Sequence, residues 1–301
     1  MDKNIFIKFA DEHGIKYLEH EDLSAHTSFK IGGPAEIYAK PSSSEEVSAI
    51  VDFCRENEIP ILPLGKGSNV LVADEGISGV VMHFGSEFGK VWLMDDESIY
   101  AEAGTGLGKL CNFALENGLT GLEFAYGIPG SVGGAVFMNA GAYGGEIKDV
   151  IVYADHVDKN GKTGRFTGEE LDMSYRHSVY SGKEYFITGA TFKLQKGDKA
   201  EIKAKMDDLL GRRFDKQPMD KPSAGSTFKR PEGAFASALI DQCGLKGYRV
   251  GGAEVSTKHA GFVVNAGDAT CADVLQLIKD IQEKVKAETG FFIEPEVEIL
   301  G

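Results

Sequence analysis

Two glycine-rich stretches hold the residues best suited to chemistry in this chain. Residues 125–145 read AYGIPGSVGGAVFMNAGAYGG, with seven glycines and no charged side chain. Glycine at this density lets a backbone turn sharply and come close to a ligand. Successive exposed N–H groups in such bends form nests that hold anions, phosphates above all. An earlier loop, residues 63–71 (PLGKGSNVL), has the same character. Gly65, Gly67, Ser68 and Asn69 offer amides and short polar side chains. Gly130, Ser131, Gly133 and Gly134 can open a helix whose first amides and dipole favour an anion. Each loop alone reads better as a structural turn. The pair points to one large phosphate-bearing cofactor gripped from two sides.

The common nucleotide signatures are absent. No G-x-x-x-x-G-K-[ST] occurs, which demotes a phosphate-loop ATPase. Gly65-Lys66-Gly67 is followed by a strand pattern, and Gly104-Thr105-Gly106-Leu107-Gly108 has its third glycine one residue early. Neither is a Rossmann fingerprint. The grip therefore falls to loop backbone.

The elements that must position these loops read as α+β in three segments: 1–85, 86–195 and 196–301. In the first, Ser43 and Glu46 are spaced for a capping box. Val47, Ile50, Val51 and Cys54 then stripe one helix face. Strands are expected at Ile59–Leu64, Val70–Val72 and Gly79–His83. The second segment predicts a hairpin of Val91–Met94 with Ile99–Ala103, and a helix striped by Leu107, Leu110, Cys111 and Ala114. Strands follow at Val150–Asp158, Lys162–Thr167 and Tyr185–Leu194, with Asn160-Gly161 as a hairpin turn. The third segment predicts a helix ending at Arg212-Arg213 and a second over Ala234–Cys243. Thr270 and Asp273 cap a last long helix, and a strand runs over Phe292–Leu300. In that strand Glu294, Glu296 and Glu298 fall on one face, a pattern that reads as a solvated edge.

Composition bounds the partners. The 301 residues are 42% hydrophobic and 26% charged, ordinary for a globular protein with a buried core. A net charge of −14 argues against nucleic acid. Between Lys196 and Arg230, ten Lys/Arg face six Asp/Glu, a local excess that could draw an anionic small molecule. No apolar run is long enough to span a bilayer, and the first residues lack a signal-peptide pattern, so a cytoplasmic protein is expected. The four cysteines are widely spaced and read as buried free thiols, with no metal site.

A set of motifs carries a resemblance along nearly the whole chain. They are HTSFKIGGPAE (26–36), LGKGSNVL (64–71), GIPGSVGG (127–134), NAGAYG (139–144), YRHS (175–178), AGSTFKRP (224–231), GAEVSTKHAGFVVNAG (252–267) and EPEVEILG (294–301). In order and together they resemble the UDP-N-acetylenolpyruvoylglucosamine reductase family. The resemblance implies a flavoenzyme of bacterial peptidoglycan synthesis, hence of cell-wall biogenesis, cell shape and division. It implies a two-subdomain FAD-binding fold of the vanillyl-alcohol oxidase type, followed by a substrate domain. FAD would be held non-covalently and reduced by NADPH. The product would be UDP-N-acetylmuramate, made from UDP-N-acetylglucosamine enolpyruvate. The absence of a long insertion after Tyr175 matches the shorter family type, which lacks a tyrosine-bearing loop. A monomer or weak oligomer is expected.

The same resemblance implies roles residue by residue. Arg176 would anchor the substrate carboxylate and stabilise the enolate. Ser226 would give a proton to carbon, supported by a cation such as Lys229 or Lys216. Glu296 would help Arg176 with the developing charge. The cofactor set would be Gly65, Lys66, Gly67, Ser68, Asn69, Gly127, Ile128, Pro129, Gly130, Ser131, Gly133, Gly134, Asn139, Ala140, Gly141, Ala142 and Tyr143. Tyr175, Arg213 and Lys229 would bind the nucleotide sugar. Competing readings are an oxidase on the same flavin fold and a non-catalytic flavin or nucleotide-sugar sensor. Arg176, Ser226 and Glu296 as a set disfavour the oxidase, and intact motifs in both the cofactor and substrate segments argue against the sensor.

Overall fold

A computed structural model of the chain describes residues 3–301. They form two compact units. The first contains residues up to Glu19, Glu36–Lys66 and Gly79–Arg212; the second contains His20–Ala35, Gly67–Ser78 and Arg213–Gly301. The α-helices are α1 (Lys3–His13), α2 (Ser44–Glu56), α3 (Leu107–Glu116), α4 (Val132–Phe137), α5 (Lys199–Lys216), α6 (Ala236–Gln242) and α7 (Cys271–Thr289).

In the first unit, Ser43 caps α2, its hydroxyl accepting from the Glu46 amide. Glu46 reaches back to the Ser42 amide at 2.8 Å, one residue beyond a reciprocal capping box. The expected stripe Val47, Ile50, Val51 and Cys54 is buried. Phe53 stacks on Phe9 of α1 with ring centroids 4.1 Å apart. A four-stranded sheet has the order Lys16–Asp22, Pro34–Lys40, Ile77–His83, Ile61–Leu64, the last two parallel. The strand expected from Ile59 begins at Ile61. The Ile59 amide closes α2 on the Cys54 carbonyl at 2.8 Å, and Pro60 has no N–H for a ladder.

A five-stranded antiparallel sheet completes this unit, in the order Thr163–Thr167, Ile151–Asp158, Tyr185–Lys193, Ser98–Glu102, Val91–Leu93. Tyr185–Lys193 lies at its centre and is buried along nearly its whole length, which is why its apolar residues run without alternation. Gly161 in the expected Asn160-Gly161 turn has φ +70°. Lys40 pairs with Glu87 at 2.8 Å, and the ammonium's hydrogen bond holds that carboxyl down at about 2. A lowered folded-state pKa stabilises the fold above the unfolded value of 4.5, and the benefit is lost as pH falls through about 2. Glu87→Gln should therefore lower stability at pH 7 and approach wild type at pH 2. Denaturant melts at both pH values check this; an equal deficit at both contradicts it.

The second unit packs α7 against a three-stranded antiparallel sheet, Arg249–Val250, Ala253–Val255 and Val263–Asn265, with α6 against α7. Thr270 and Asp273 form the expected capping box on α7, and Val274, Leu277, Ile278, Ile281 and Val285 are buried. Asp74 adds a second cap, accepting from the amides of Cys271 and Ala272 at 2.7 and 3.1 Å. α5 passes the expected end at Arg213 and stops at Lys216, ahead of Pro218. α6 is shorter than expected, Phe235 being its extended N-cap. The expected strand Phe292–Leu300 is reduced to Glu298–Leu300, parallel to Val70–Val72. Pro295 interrupts the rest and leaves only an isolated bridge to Phe228. All four cysteines are buried free thiols. Among the described residues, no helix is long and apolar enough to cross a membrane.

Candidate active site

The first unit contains a cradle built from loop backbone. Strand Ile61–Leu64 delivers Gly65 against Ser131, where a β-carbon on Gly65 would lie 2.3 Å from Ser131 Oγ. Ser131 is the N-cap of α4 but makes no side-chain cap. Its hydroxyl is buried with no hydrogen-bond partner among the described residues. Gly106 pairs with Ser131 in an isolated bridge, and Leu107 N donates to Gly130 O at 3.0 Å. The exposed Lys66 folds its ammonium over Gly106, whose β-carbon would meet Nζ at 2.8 Å. Gly106 lies in the GTGLG run, whose spacing does not fit a Rossmann fingerprint and carries no other local mark.

The α4 amides differ from expectation. Val132 N donates to Thr105 O at 2.8 Å and Gly133 N to Ala103 O at 2.9 Å. These two amides therefore hold the loop together and do not face a ligand. Gly133 serves packing, since its β-carbon would meet Ala103 Cβ at 3.0 Å. Beside them, Ile128 N closes a turn on Ala125 O at 3.0 Å, half-buried Gly127 precedes it, and Pro129 is exposed.

Residues 139–146 form a small hairpin. Gly141–Ala142 pairs with Gly145–Glu146 across Tyr143 (φ +54°) and Gly144 (φ +88°), with Tyr143 exposed at the tip. Two consecutive left-handed residues suit a type I′ turn. Ala140 is buried and accepts from Ile147 N at 3.0 Å. A second hairpin joins Ser174 to His177 by reciprocal backbone bonds of 3.1 and 3.2 Å. Its two turn residues are Tyr175, exposed, and Arg176, half-buried at φ +55°. The Arg176 guanidinium lies 5.0 Å from the Tyr175 ring centroid.

The second unit gathers three further motifs. Thr227 is buried and pinned on every side: its N–H donates to Gly261 O at 2.8 Å, its Oγ1 accepts from Val263 N at 2.9 Å, and its carbonyl accepts from Glu296 N at 2.8 Å. Ser226, exposed, sits between this anchor and Gly225 at φ +78°. Glu296 is buried, whereas Glu294 and Glu298 are exposed, so the solvated-edge reading fails for the middle one. Asn69 holds the backbone of this segment: Asn69 Nδ2 donates to Glu296 O at 3.1 Å and Glu298 N donates to Asn69 O at 2.9 Å. Gly67, buried at φ +58°, packs on the His26 carbonyl, and Ser68 follows half-buried. Ser28 N donates to Gly67 O at 3.0 Å, while Ser28 Oγ donates to Ser223 O at 2.7 Å. Ser28 and Thr227 are scaffold residues that sequence reasoning did not single out. Lys229 Nζ stands 4.0 Å from Glu294 at the exposed edge, and Arg213 is half-buried on the last turn of α5.

Comparison with known proteins places this geometry. An FAD-binding domain family model matches residues 35–167, and a model described as UDP-N-acetylenolpyruvoylglucosamine reductase, C-terminal domain, matches residues 217–300. A UDP-N-acetylenolpyruvoylglucosamine reductase from Clostridium novyi (strain NT) is 53% identical over 279 residues, 93% of this chain and 90% of that one. The chain belongs to the UDP-N-acetylenolpyruvoylglucosamine reductase family. A crystal structure of a UDP-N-acetylenolpyruvylglucosamine reductase from Thermus caldophilus aligns with TM-score 0.81 at 36% identity, covering 95% of this chain and 99% of that one. A berberine bridge enzyme variant shares the fold alone, at 17% identity and TM-score 0.51 over 64% of this chain and 43% of that one. The fold is thus the two-subdomain FAD-binding type followed by the reductase family's C-terminal domain. The residues fit the cofactor. An orphaned buried hydroxyl, an exposed ammonium and glycines where a β-carbon would intrude are what a pyrophosphate needs.

Proposed function

We propose that Arg176, Ser226 and Glu296 of this FAD-dependent reductase act together on the enolpyruvyl group of UDP-N-acetylglucosamine enolpyruvate. The reaction gives UDP-N-acetylmuramate for peptidoglycan at the expense of NADPH. FAD, when bound, supplies the hydride chemistry; the protein supplies position and electrostatics. Gly65, Lys66 and Ser131 would hold its pyrophosphate.

Addition to the enolpyruvyl double bond builds negative charge on the neighbouring carbon and its carboxylate. The Arg176 guanidinium binds that carboxylate as a two-pronged donor and strengthens its hold as charge grows. A protonated Glu296 carboxyl donates a further hydrogen bond to the growing charge. Ser226 Oγ–H delivers the proton to carbon. A neutral serine is a weak acid, so its proton must be replaced from solvent under a nearby cation. Lys229 and Lys216 are the candidates for that cation. Arg213, Lys229 and Tyr175 anchor the nucleotide sugar, Arg213 as a charged grip on the diphosphate.

The observation that carries this reading is the family relationship over nearly the whole chain with these three residues in their motifs. One stopped-flow experiment tests it. NADPH should bleach the bound flavin, and the enolpyruvyl sugar nucleotide should restore its colour. A folded protein that takes up no FAD, or a bleached flavin that recovers only in air, contradicts it.

A further inference from the structure

Asn139 stands in a motif expected to touch the cofactor, yet its side chain is engaged elsewhere. It is fully buried at φ +45°. Its Nδ2 donates to Ser174 O at 2.9 Å and to Glu146 Oε2 at 3.1 Å, and its Oδ1 accepts from Lys148 N at 2.9 Å. Both donors and the acceptor of the amide are thereby used.

We propose that Asn139 is a positioning residue for Arg176, fixing the Ser174–His177 hairpin through the Ser174 carbonyl. The proposal rests on Arg176 being the carboxylate anchor. Arg176 occupies a left-handed conformation that a long side chain holds only when its surroundings over-determine it. The hairpin's own two bonds close the turn but do not fix it to the fold. The Asn139 amide does, by tying Ser174 to the end of α4. The same amide places the Glu146 carboxylate, which pairs with Lys148 at 2.7 Å and faces the Arg176 charge. Removing Asn139 would take from the Ser174 carbonyl the donor that ties it to the fold, leaving only the His177 N–H within the hairpin, and release the turn that aims the guanidinium.

The test uses Asn139→Ala and Asn139→Asp in the FAD-loaded enzyme, alone and combined with Arg176→Ala. Asn139→Asp keeps the acceptor for Lys148 N–H and removes both donors, so it reports even where the alanine variant fails to fold. Each variant should retain FAD with an unchanged visible spectrum. Flavin reoxidation by the enolpyruvyl substrate should slow about 10²-fold, the effect of an ångström-scale misplacement. Reduction by NADPH should slow about tenfold less than that. In the Arg176→Ala background, losing Asn139 should slow reoxidation no further. Loss of FAD, equal slowing of both half-reactions, or additivity with Arg176→Ala overturns the positioning role. Normal reoxidation by Arg176→Ala alone is a different failure: it overturns the reading of Arg176, and the positioning role with it.

Discussion

Ser226→Ala should leave flavin reduction by NADPH within a few-fold of wild type and slow reoxidation by the enolpyruvyl substrate by about 10³-fold. The size follows from losing a positioned proton donor, which contributes on the order of 10²–10⁴. The selectivity follows from the fold. Ser226 is exposed, and its neighbour Thr227 is held by three hydrogen bonds that involve no atom of the serine side chain. Alanine therefore removes one hydroxyl and leaves the backbone path unchanged, with a stability change within about 0.5 kcal/mol. Stopped-flow measurement of each half-reaction separates the steps. Equal loss in both would exclude Ser226 as the proton source.

Gly67→Ala should be strongly destabilising. Gly67 has φ +58°, and a β-carbon there would lie 2.2 Å from the His26 carbonyl oxygen and 3.0 Å from Thr27 Cα. Both obstacles are backbone and cannot rotate aside. Thr27 is itself held by its hydroxyl bond to Ile31 O, and Ser28 N donates to Gly67 O. The left-handed conformation alone costs an alanine about 1–2 kcal/mol. With the clash added, about 3 kcal/mol or more is expected, a Tm lower by roughly 6–12 °C. Gly14→Ala is the control: φ is +68°, but nothing lies within 4 Å of the added carbon, so only the conformational cost applies. Thermal melts followed by flavin fluorescence compare the two. Should Gly67→Ala melt no lower than Gly14→Ala, close backbone packing is not what glycine supplies there.

Local signals account for what could be read from the chain. The caps Ser43 and Thr270–Asp273 and the stripes behind them placed α2 and α7, because a helix end is decided within a few residues. The glycine-rich turns at Gly65 and at Ser131 were legible for the same reason: glycine spacing is local. The burial of Glu296 was not legible, since the partners that hold its backbone, Asn69 and Thr227, are distant in sequence. Nor was the use of the Val132 and Gly133 amides, whose acceptors Thr105 and Ala103 belong to another loop. Asn139 was assigned with its motif, and only the side-chain partners Ser174, Glu146 and Lys148 distinguish scaffold from cofactor contact. Arg176, Ser226 and Glu296 carry no local mark that separates them from a surface arginine, a loop serine and a strand glutamate. The roles proposed for them rest on the family pattern.

The parallel pairing of Glu298–Leu300 with Val70–Val72 bears on how the protein is born. While a ribosome is still translating, the Asn69 loop emerges early and waits without its partner. At typical elongation rates of about 5–20 residues per second, that delay lasts on the order of ten seconds or more. The second unit cannot finish assembling until the nascent polypeptide has released residues 298–300. During the wait, Val70–Val72 presents an open strand edge, a target for chaperones or for mispairing.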